Sequence, residues 1–339
     1  MELKVILENV IQHQDLDADE MRQVMNAIMS GQLTDTQIAA FLIAERMKGE
    51  TVTEISAAAN VMRDLATPVN VEAENMVDIV GTGGDGISTF NVSTACTFVV
   101  AAAGGHVAKH GNRSVSSQSG SADLLEAVGV NLNLNPKQVA KCIQQVGVGF
   151  MFAPMHHSAM KYAITARKEM GVRTLFNLLG PLTNPAKVQR QLLGVFDKEW
   201  VLPLAKVLRN LGSVHAMVVH ADDGMDEISI TGTTHVSELK EGEIKNYSIT
   251  PEQFGFRPRP LSDIVVKDST ESLKLIRSAL NNEDSAARNI ILLNAGAAIY
   301  VAGITDDLDL GVQRASDVIA SGKALEKMQA LVELSQSFR

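Results

Sequence analysis

The sequence predicts an α/β protein: a small all-helical N-terminal domain followed by a large α/β domain with a mainly parallel central sheet. Three observations predict it. Apolar residues recur at helical spacing through roughly the first 70 positions, with no convincing strand among them. From Met76 onward, short β-branched runs alternate with Ala-rich helical stretches, the pattern of strand–helix–strand units. Of the 339 residues, 45% are hydrophobic and 20% charged, which suits a packed core and excludes a disordered chain.

In the helical part, Met21, Val24, Met25 and Ile28 form one apolar face closed by Gly31. Ile38, Phe41 and Leu42 begin a second that ends near Gly49, and Ile55, Ala58, Ala59 and Met62 form a third. Each starts with a capping-box pair: Asp17 with Glu20, Thr34 with Gln37, Thr51 with Glu54. Thr67-Pro68 marks the end, so domains are expected at 1–70 and 71–339. Strands are expected at 76–80, 106–109, 148–152, 192–196 and 214–220, and helices at 92–103, 122–128, 157–170 and 200–211. The stretch 236–247 reads as a small polar surface hairpin, and the tail after Leu273 as helical with Gly296 and Gly303 as interruptions.

Thirty Lys and Arg face 39 Asp and Glu, a formal net charge of −9. That balance argues against nucleic acid, whose sequence-independent binding depends on neutralising phosphates with basic residues, and against an anionic membrane surface. Cys96 and Cys142 stand far apart and read as free thiols in a reducing compartment. The acidic start lacks a basic n-region, and the longest apolar stretch, 95–105, is well short of the ~20 residues a membrane span requires. A soluble, cytoplasmic protein is expected.

Four stretches carry chemistry. In Asp78-Ile79-Val80-Gly81-Thr82-Gly83-Gly84-Asp85-Gly86 a strand runs into a glycine loop, and Asn91-Val92-Ser93-Thr94 then opens a helix. Glycines let backbone N–H groups approach an anion, and a helix N-terminus adds unpaired N–H groups and partial positive charge, so this reads as a phosphate cradle. The alternative is a tight turn with no ligand. Asp85 stands where a dinucleotide loop needs its third glycine, and no Gly-Lys-Ser/Thr of a P-loop follows. Asn91, Ser93 and Thr94 offer more oxygens than one helix cap requires. The second stretch, Lys109-His110-Gly111-Asn112-Arg113-Ser114 with serines at 116, 117, 119 and 121, puts two cations in a similar strand-to-helix loop. Loops at the carboxyl ends of parallel strands converge, so both can face one polyanion. The third, Asp222-Asp223-Gly224-Met225-Asp226-Glu227, gathers four carboxylates; alone it could be a solvated acidic loop, but beside two phosphate-type loops it suits Mg²⁺ held together with substrate phosphates. In the fourth, His156-His157 precede Lys161, Tyr162 and Arg167, with His157 and Lys161 expected on one helix face. Arg167 could clamp a carboxylate, or the stretch could be an exposed amphipathic helix. Adjacent histidines without a cysteine pair or H-E-x-x-H do not suit zinc. Residues 176–185 (Phe176-Asn177-Leu178-Leu179-Gly180-Pro181-Leu182-Thr183-Asn184-Pro185) read as a shaped turn with no independent chemical role.

Taken in this order, the glycine loop, Asn91-Val92-Ser93-Thr94, Lys109-His110-Gly111-Asn112-Arg113, residues 176–185 and Asp226-Glu227 resemble the anthranilate phosphoribosyltransferase family over essentially the whole chain. The resemblance implies the nucleoside phosphorylase/phosphoribosyltransferase fold. It implies transfer of a phosphoribosyl group from 5-phosphoribosyl 1-diphosphate to the amine of anthranilate in tryptophan biosynthesis, with Mg²⁺ as cofactor and a homodimer through the helical domain. Carried over by position, Gly81, Gly84, Asp85, Thr89, Asn91, Val92, Ser93, Thr94, Lys109, Asn112 and Ser121 would meet the donor. Gly81, His110, Asn112 and Arg167 would meet anthranilate, and Ser93, Asp226 and Glu227 would hold two Mg²⁺ ions. No residue is expected to act as a general acid or base, with Lys109 and His110 assisting by charge and position. Helices from about 157–187 would join the small domain, and hinges near 69–72 and 176–187 would close the domains over both substrates. Two other readings compete less well. A pyrimidine nucleoside phosphorylase would carry extra residues before the acid of its glycine loop and lack Asp226-Glu227. A nucleic-acid-binding relative of the fold sits badly with the acidic balance.

Overall fold

The computed structural model describes residues 3–113 and 120–338. Four helices open the chain: α1 (Leu3–Ile11), α2 (Ala18–Met29), α3 (Asp35–Lys48) and α4 (Val52–Leu65). The capping boxes at Asp17, Thr34 and Thr51 all form, each side chain accepting the N3 N–H while the N3 side chain returns to the cap. Helix α1 carries only two buried residues, Ile6 and Val10, too short a pattern for periodicity to single out.

The α/β part follows as β1 (Met76–Gly81), α5 (Val92–Ala102), β2 (His106–Gly111), α6 (Ser121–Val128), α7 (Pro136–Val146), β3 (Val148–Phe152), α8 (Ala153–His156), α9 (Lys161–Met170), α10 (Leu175–Leu179), β4 (Arg190–Gly194), α11 (Val201–Asn210) and β5 (His215–Ala221). Then come β6 (Thr234–Lys240), β7 (Glu243–Ile249), α12 (Ser269–Leu280), α13 (Ala286–Ala302), α14 (Leu308–Ala320) and α15 (Lys323–Ser337). The strands make one sheet in the order β3-β2-β1-β4-β5-β6-β7. The first five run parallel, and β6 and β7 are antiparallel additions.

Both faces of the sheet are covered, as a parallel sheet requires. Alternate residues of one strand enter different cores. Leu192, Met217 and Val219 join α5 and α13 on one face. Leu193, Ala216 and Val218 face α11, and through it α2–α4, α9 and α10, on the other. The helical bundle therefore shares an apolar core with the sheet as well as with its own helices.

Three expectations are corrected. The polar hairpin is no separate surface feature, because β6 pairs along its full length with β5 and extends the central sheet. Its turn residues Glu241 and Gly242 both have positive φ, the geometry that matches strand twist. Gly303 does end α13 in the left-handed conformation, but Gly296 interrupts nothing. It lies inside α13, where a Cβ would come 2.6 Å from the Val312 backbone, so its role is close packing with α14. The helix expected over 157–170 is broken: α8 ends at His156, a 3₁₀ turn covers Ser158–Met160, and α9 begins at Lys161. His157 and Lys161 thus do not share one helical face.

The bundle encloses a charged cluster. Glu54 accepts the Leu16 N–H at 2.7 Å and Lys48 Nζ at 2.8 Å. Glu45 is fully buried, its oxygens meet no hydrogen-bond donor among the described residues, and Lys48 Nζ is 3.5 Å away. Burial, reinforced by the charge of Glu54, pushes Glu45 up to about 8. A carboxyl raised in the folded state stabilises fully below its ordinary 4.5, and that contribution is lost as pH rises toward 8. Glu45→Gln is therefore expected to flatten the fall of the thermal midpoint between about pH 5 and about pH 8. A variant that keeps the parent's pH slope in melts followed by circular dichroism would show that Glu45 is not the titrating group.

Candidate active site

Chain order reverses beside β1, since β2 lies on one side of it and β4 on the other. This switch point opens a crevice at the carboxyl ends of the strands, where α/β sheets take their ligands. The glycine loop leaves β1 into it. Gly83, Gly84 and Gly86 have φ of 62°, 74° and 77°, which only glycine adopts at low cost. The loop is pinned along its length. The Phe196 N–H donates to Thr82 Oγ1 at 3.0 Å, residues 88–90 pair with 264–266, and Ser272 Oγ donates to Asn91 Oδ1 at 2.8 Å. Asn91 stands at the N-cap position of α5, but its side chain does not cap the helix.

Asp226 closes the crevice from the β5 side. Its Oδ2 accepts the Gly83 N–H at 2.9 Å. It fits because two strands end without side chains: a Cβ at Gly81 would collide with its carboxylate, and one at Gly194 with its backbone. Glu227 Oε1 accepts the Ser93 N–H at 3.2 Å in the first turn of α5. Asn294 of α13 holds the far side, accepting the Ile228 N–H at 2.9 Å and donating to its carbonyl at 2.8 Å. The four acids of this segment divide. Asp222 pairs with His235 at 2.6 Å, and Asp223 accepts from Ser229 and Thr231, while Asp226 and Glu227 face the crevice.

The buried charges disturb one another. Burial, then the charge of Asp226, pushes Glu227 up to about 8, and the same two causes raise Asp85 to about 6. Asp226 is raised by burial. Lys109 is 3% exposed, and burial lowers its pKa against the pull of Asp78 and Glu227. Its Nζ donates to the Ile79 carbonyl and, at 3.2 Å, to Ser93 Oγ. Carboxylates this reluctant to ionise are stabilised by a cation, so the residues fit a divalent metal. Among the described residues no three His, Cys, Asp or Glu side chains converge as ligands. Two carboxylates and a hydroxyl suit Mg²⁺, which keeps waters and shares substrate phosphates.

Below the loops, His110 and Asp78 join the sheet to residues 176–185. His110 Nδ1 lies 2.7 Å from Asp78 Oδ2, and Nε2 lies 2.7 Å from the Gly180 carbonyl. Asn184 donates to Asp78 Oδ2 at 2.7 Å and to the Ala108 carbonyl at 2.8 Å, and Gln191 donates to the Pro181 carbonyl. The segment without a chemical role in the sequence thus satisfies polar groups buried at the sheet centre.

The other candidates are scattered more widely. Val92 has its side chain buried in the core and its N–H on the Phe90 carbonyl. Thr94 is buried, with a hydroxyl that has no hydrogen-bond partner among the described residues. Thr89 forms a bridge with Val265. In the second loop Asn112 is exposed, and its carbonyl accepts from Ala122 N–H and Ser121 Oγ. Arg113, expected among the cations of the crevice, instead grips Glu126 and Asp123 of α6 and lies over Phe152. The serines at 114, 116, 117 and 119 lie outside the described residues. Arg167 lies over the Phe176 ring at 5.1 Å with no ion pair among the described residues. Sequence reasoning gave no role to Asp78, Asn184, Asn294 or Arg173. Asn184 stood inside a segment singled out for its shape, whereas Asn294 lies mid-helix with no local signal.

Residues 73–325 match the model of the glycosyl transferase family a/b domain, and residues 4–66 that of its helical bundle domain. The chain is 57% identical over 338 residues to the anthranilate phosphoribosyltransferase of Methylococcus capsulatus, covering 100% of this chain and 99% of that one. The crystal structure of the Thermus thermophilus anthranilate phosphoribosyltransferase is similar at a TM-score of 0.93 and 41% identity, over 99% of this chain and 100% of that one. The Saccharomyces cerevisiae anthranilate phosphoribosyltransferase in complex with PRPP and Mg is similar at a TM-score of 0.90 and 26% identity, over 99% and 98% of the two chains.

Gly81→Ala tests the approach of Asp226. The added methyl should push the carboxylate off the Gly83 N–H and lower stability by about 1–3 kcal/mol in urea unfolding. Unchanged stability would mean that the loop relaxes freely around position 81.

Proposed function

Since the chain belongs to the anthranilate phosphoribosyltransferase family, we propose how its crevice performs that family's reaction. The enzyme transfers the phosphoribosyl group of 5-phosphoribosyl 1-diphosphate to the amine of anthranilate, giving N-(5-phosphoribosyl)anthranilate and diphosphate in L-tryptophan biosynthesis. The observation that carries the assignment of roles is the meeting of the glycine loop with Asp226, Glu227, Ser93 and Lys109 at the strand ends.

The donor lies along the glycine loop and the start of α5, with Gly81, Gly84, Asp85, Thr89, Asn91, Ser93, Thr94, Lys109, Asn112 and Ser121 around it. Val92 sets the helix start from the core. Asp226, Glu227 and the Ser93 hydroxyl would hold Mg²⁺, two ions in this reading. When bound, Mg²⁺ offsets the diphosphate charge and stabilises the charge that builds on the leaving oxygen. Lys109 Nζ and the loop N–H groups add fixed donors that need no rearrangement as that charge grows.

The nitrogen–C1 bond forms as the C1–O bond breaks, diphosphate leaves with the electron pair of that bond, and the nitrogen passes its proton to the departing diphosphate or to water. The amine of anthranilate is neutral at pH 7, so the site works chiefly by position and charge. His110 fits this division of labour. Both ring nitrogens are engaged, by Asp78 and by the Gly180 carbonyl, so its place is to shape the junction beside Gly81 and Asn112. Arg167, half-buried over Phe176, supplies the cation for the anthranilate carboxylate.

Two features support the larger arrangement. Residues 68–72 and 185–187 meet where the Val69 N–H donates to the Pro185 carbonyl at 3.1 Å, and together they line a cleft of about 690 Å³. It gives the two linkers room to act as hinges. Val5 and Ile11 of α1, Met47 of α3, Ile164 of α9 and Val172 are exposed on neighbouring elements of the bundle. Exposed apolar side chains on adjoining elements suit a homodimer contact. Among the described residues no helix is long and apolar enough to cross a membrane.

Loss of anthranilate fluorescence with the donor and Mg²⁺ tests the reaction directly. Asp226→Asn with Glu227→Gln should lower turnover by about two orders of magnitude or more and leave the circular dichroism spectrum intact. An unchanged Mg²⁺ dependence would overturn the metal assignment. Arg167→Ala should raise KM for anthranilate about tenfold or more with little change for the donor. A selective effect on the donor would move Arg167 to the phosphate side.

A further inference from the structure

Arg173 belongs to no part of the site described so far, yet it touches the glycine loop. It sits between α9 and α10, on the side of the molecule that carries Arg167. Its Nη2 donates to the Gly84 carbonyl, and its guanidinium lies 4.3 Å from the centre of the Phe196 ring, just beyond β4. Its own carbonyl accepts Nη1 of Arg46 from α3 at 2.9 Å. One exposed arginine thus links the helical bundle, the edge of β4 and the donor loop.

The consequence follows from peptide geometry. In a trans peptide the C=O and the next N–H point in opposite directions. No cis peptide is present among the described residues, so fixing the Gly84 carbonyl toward Arg173 turns the Asp85 N–H away from it. That peptide turns about Gly84 ψ and Asp85 φ, and Gly84, at a φ of 74°, has no side chain to resist its rotation. A guanidinium held over the Phe196 ring, on a residue anchored at its backbone by Arg46, removes that freedom. It also presents a planar fork that a lysine lacks.

We propose that Arg173 is a positioning residue for the phosphate-bearing donor. It fixes the Gly84–Asp85 peptide so that the Asp85 N–H is set for an anion, and it ties that setting to the segment that carries Arg167. The proposal rests on the reading of the glycine loop as the donor site. Arg173 itself acts through the loop and does not take part in bond making.

The test is steady-state kinetics with 5-phosphoribosyl 1-diphosphate and anthranilate on the full chain. Arg173→Ala is expected to raise KM for the donor about tenfold, with KM for anthranilate within about twofold of the parent and an unchanged thermal midpoint. Arg173→Lys, which keeps the charge and loses the fork and the stack, should lie between. Phe196→Leu should shift the donor KM in the same direction by a smaller factor. Guanidinium ion at tens of millimolar should return the Arg173→Ala donor KM toward that of the parent and leave the parent unaffected. A donor KM that stays put in both Arg173 variants, or rises together with that of anthranilate, overturns the proposal. So does a lowered midpoint without guanidinium rescue, which would make Arg173 a structural pin. Failure of the underlying reading would look different, because the unsubstituted protein would then not convert anthranilate.

Discussion

Much of the site depends on one close approach, that of the Asp226 carboxylate to two strand ends that have no side chains. β1 and β4 finish opposite each other at Gly81 and Gly194, and the chain at 226 occupies the space that two Cβ atoms would fill. That approach lets Oδ2 accept the Gly83 N–H, which ties the glycine loop to the acidic segment. It also places Glu227 against the start of α5, so a loop from one end of the parallel sheet and a helix from its middle share one crevice. A larger residue at either strand end would separate them.

The approach concentrates like charge. Burial discourages Asp85, Asp226 and Glu227 from ionising, the charge of Asp226 adds to this at Asp85 and Glu227, and Lys109 is a buried cation beside them. Hydrogen bonds from several elements hold this arrangement in place. Ser93, Gly83 and Asn294 hold the acidic segment, and Asn184 and His110 meet Asp78 underneath. A site tuned in this way favours a cation bridging it to a polyanion, which reconciles a chain of net charge −9 with a highly phosphorylated donor. The acid excess is partly a local property of the crevice.

The architecture was legible because it is written locally. Capping boxes at Asp17, Thr34 and Thr51 are contacts three residues apart, and alternating β-branched runs mark strands whatever they pair with. Local patterns failed where a distant partner decides. Whether the 234–249 hairpin joins a sheet depends on β5, and whether Gly296 ends a helix depends on α14. Arg113 looked like a crevice cation in its loop, and only the return of α6 brings Glu126 and Asp123 to it.

The sequence by itself determined the α/β class, the helical start, the glycine loop and the pool of charged and polar residues from which a donor site could be built. These follow from spacing, glycine content and side-chain chemistry, which need no knowledge of distant contacts. The tertiary structure decided which members of that pool meet. It set Asp226 and Glu227 apart from Asp222 and Asp223, gave residues 176–185 their buried polar partners, and brought Arg173 to Gly84 across 89 positions of chain. The physical reason is that hydrogen bonds and charge pairs act over a few ångströms. Which residues come that close is fixed by the order of strands in the sheet and by the missing side chains at their ends.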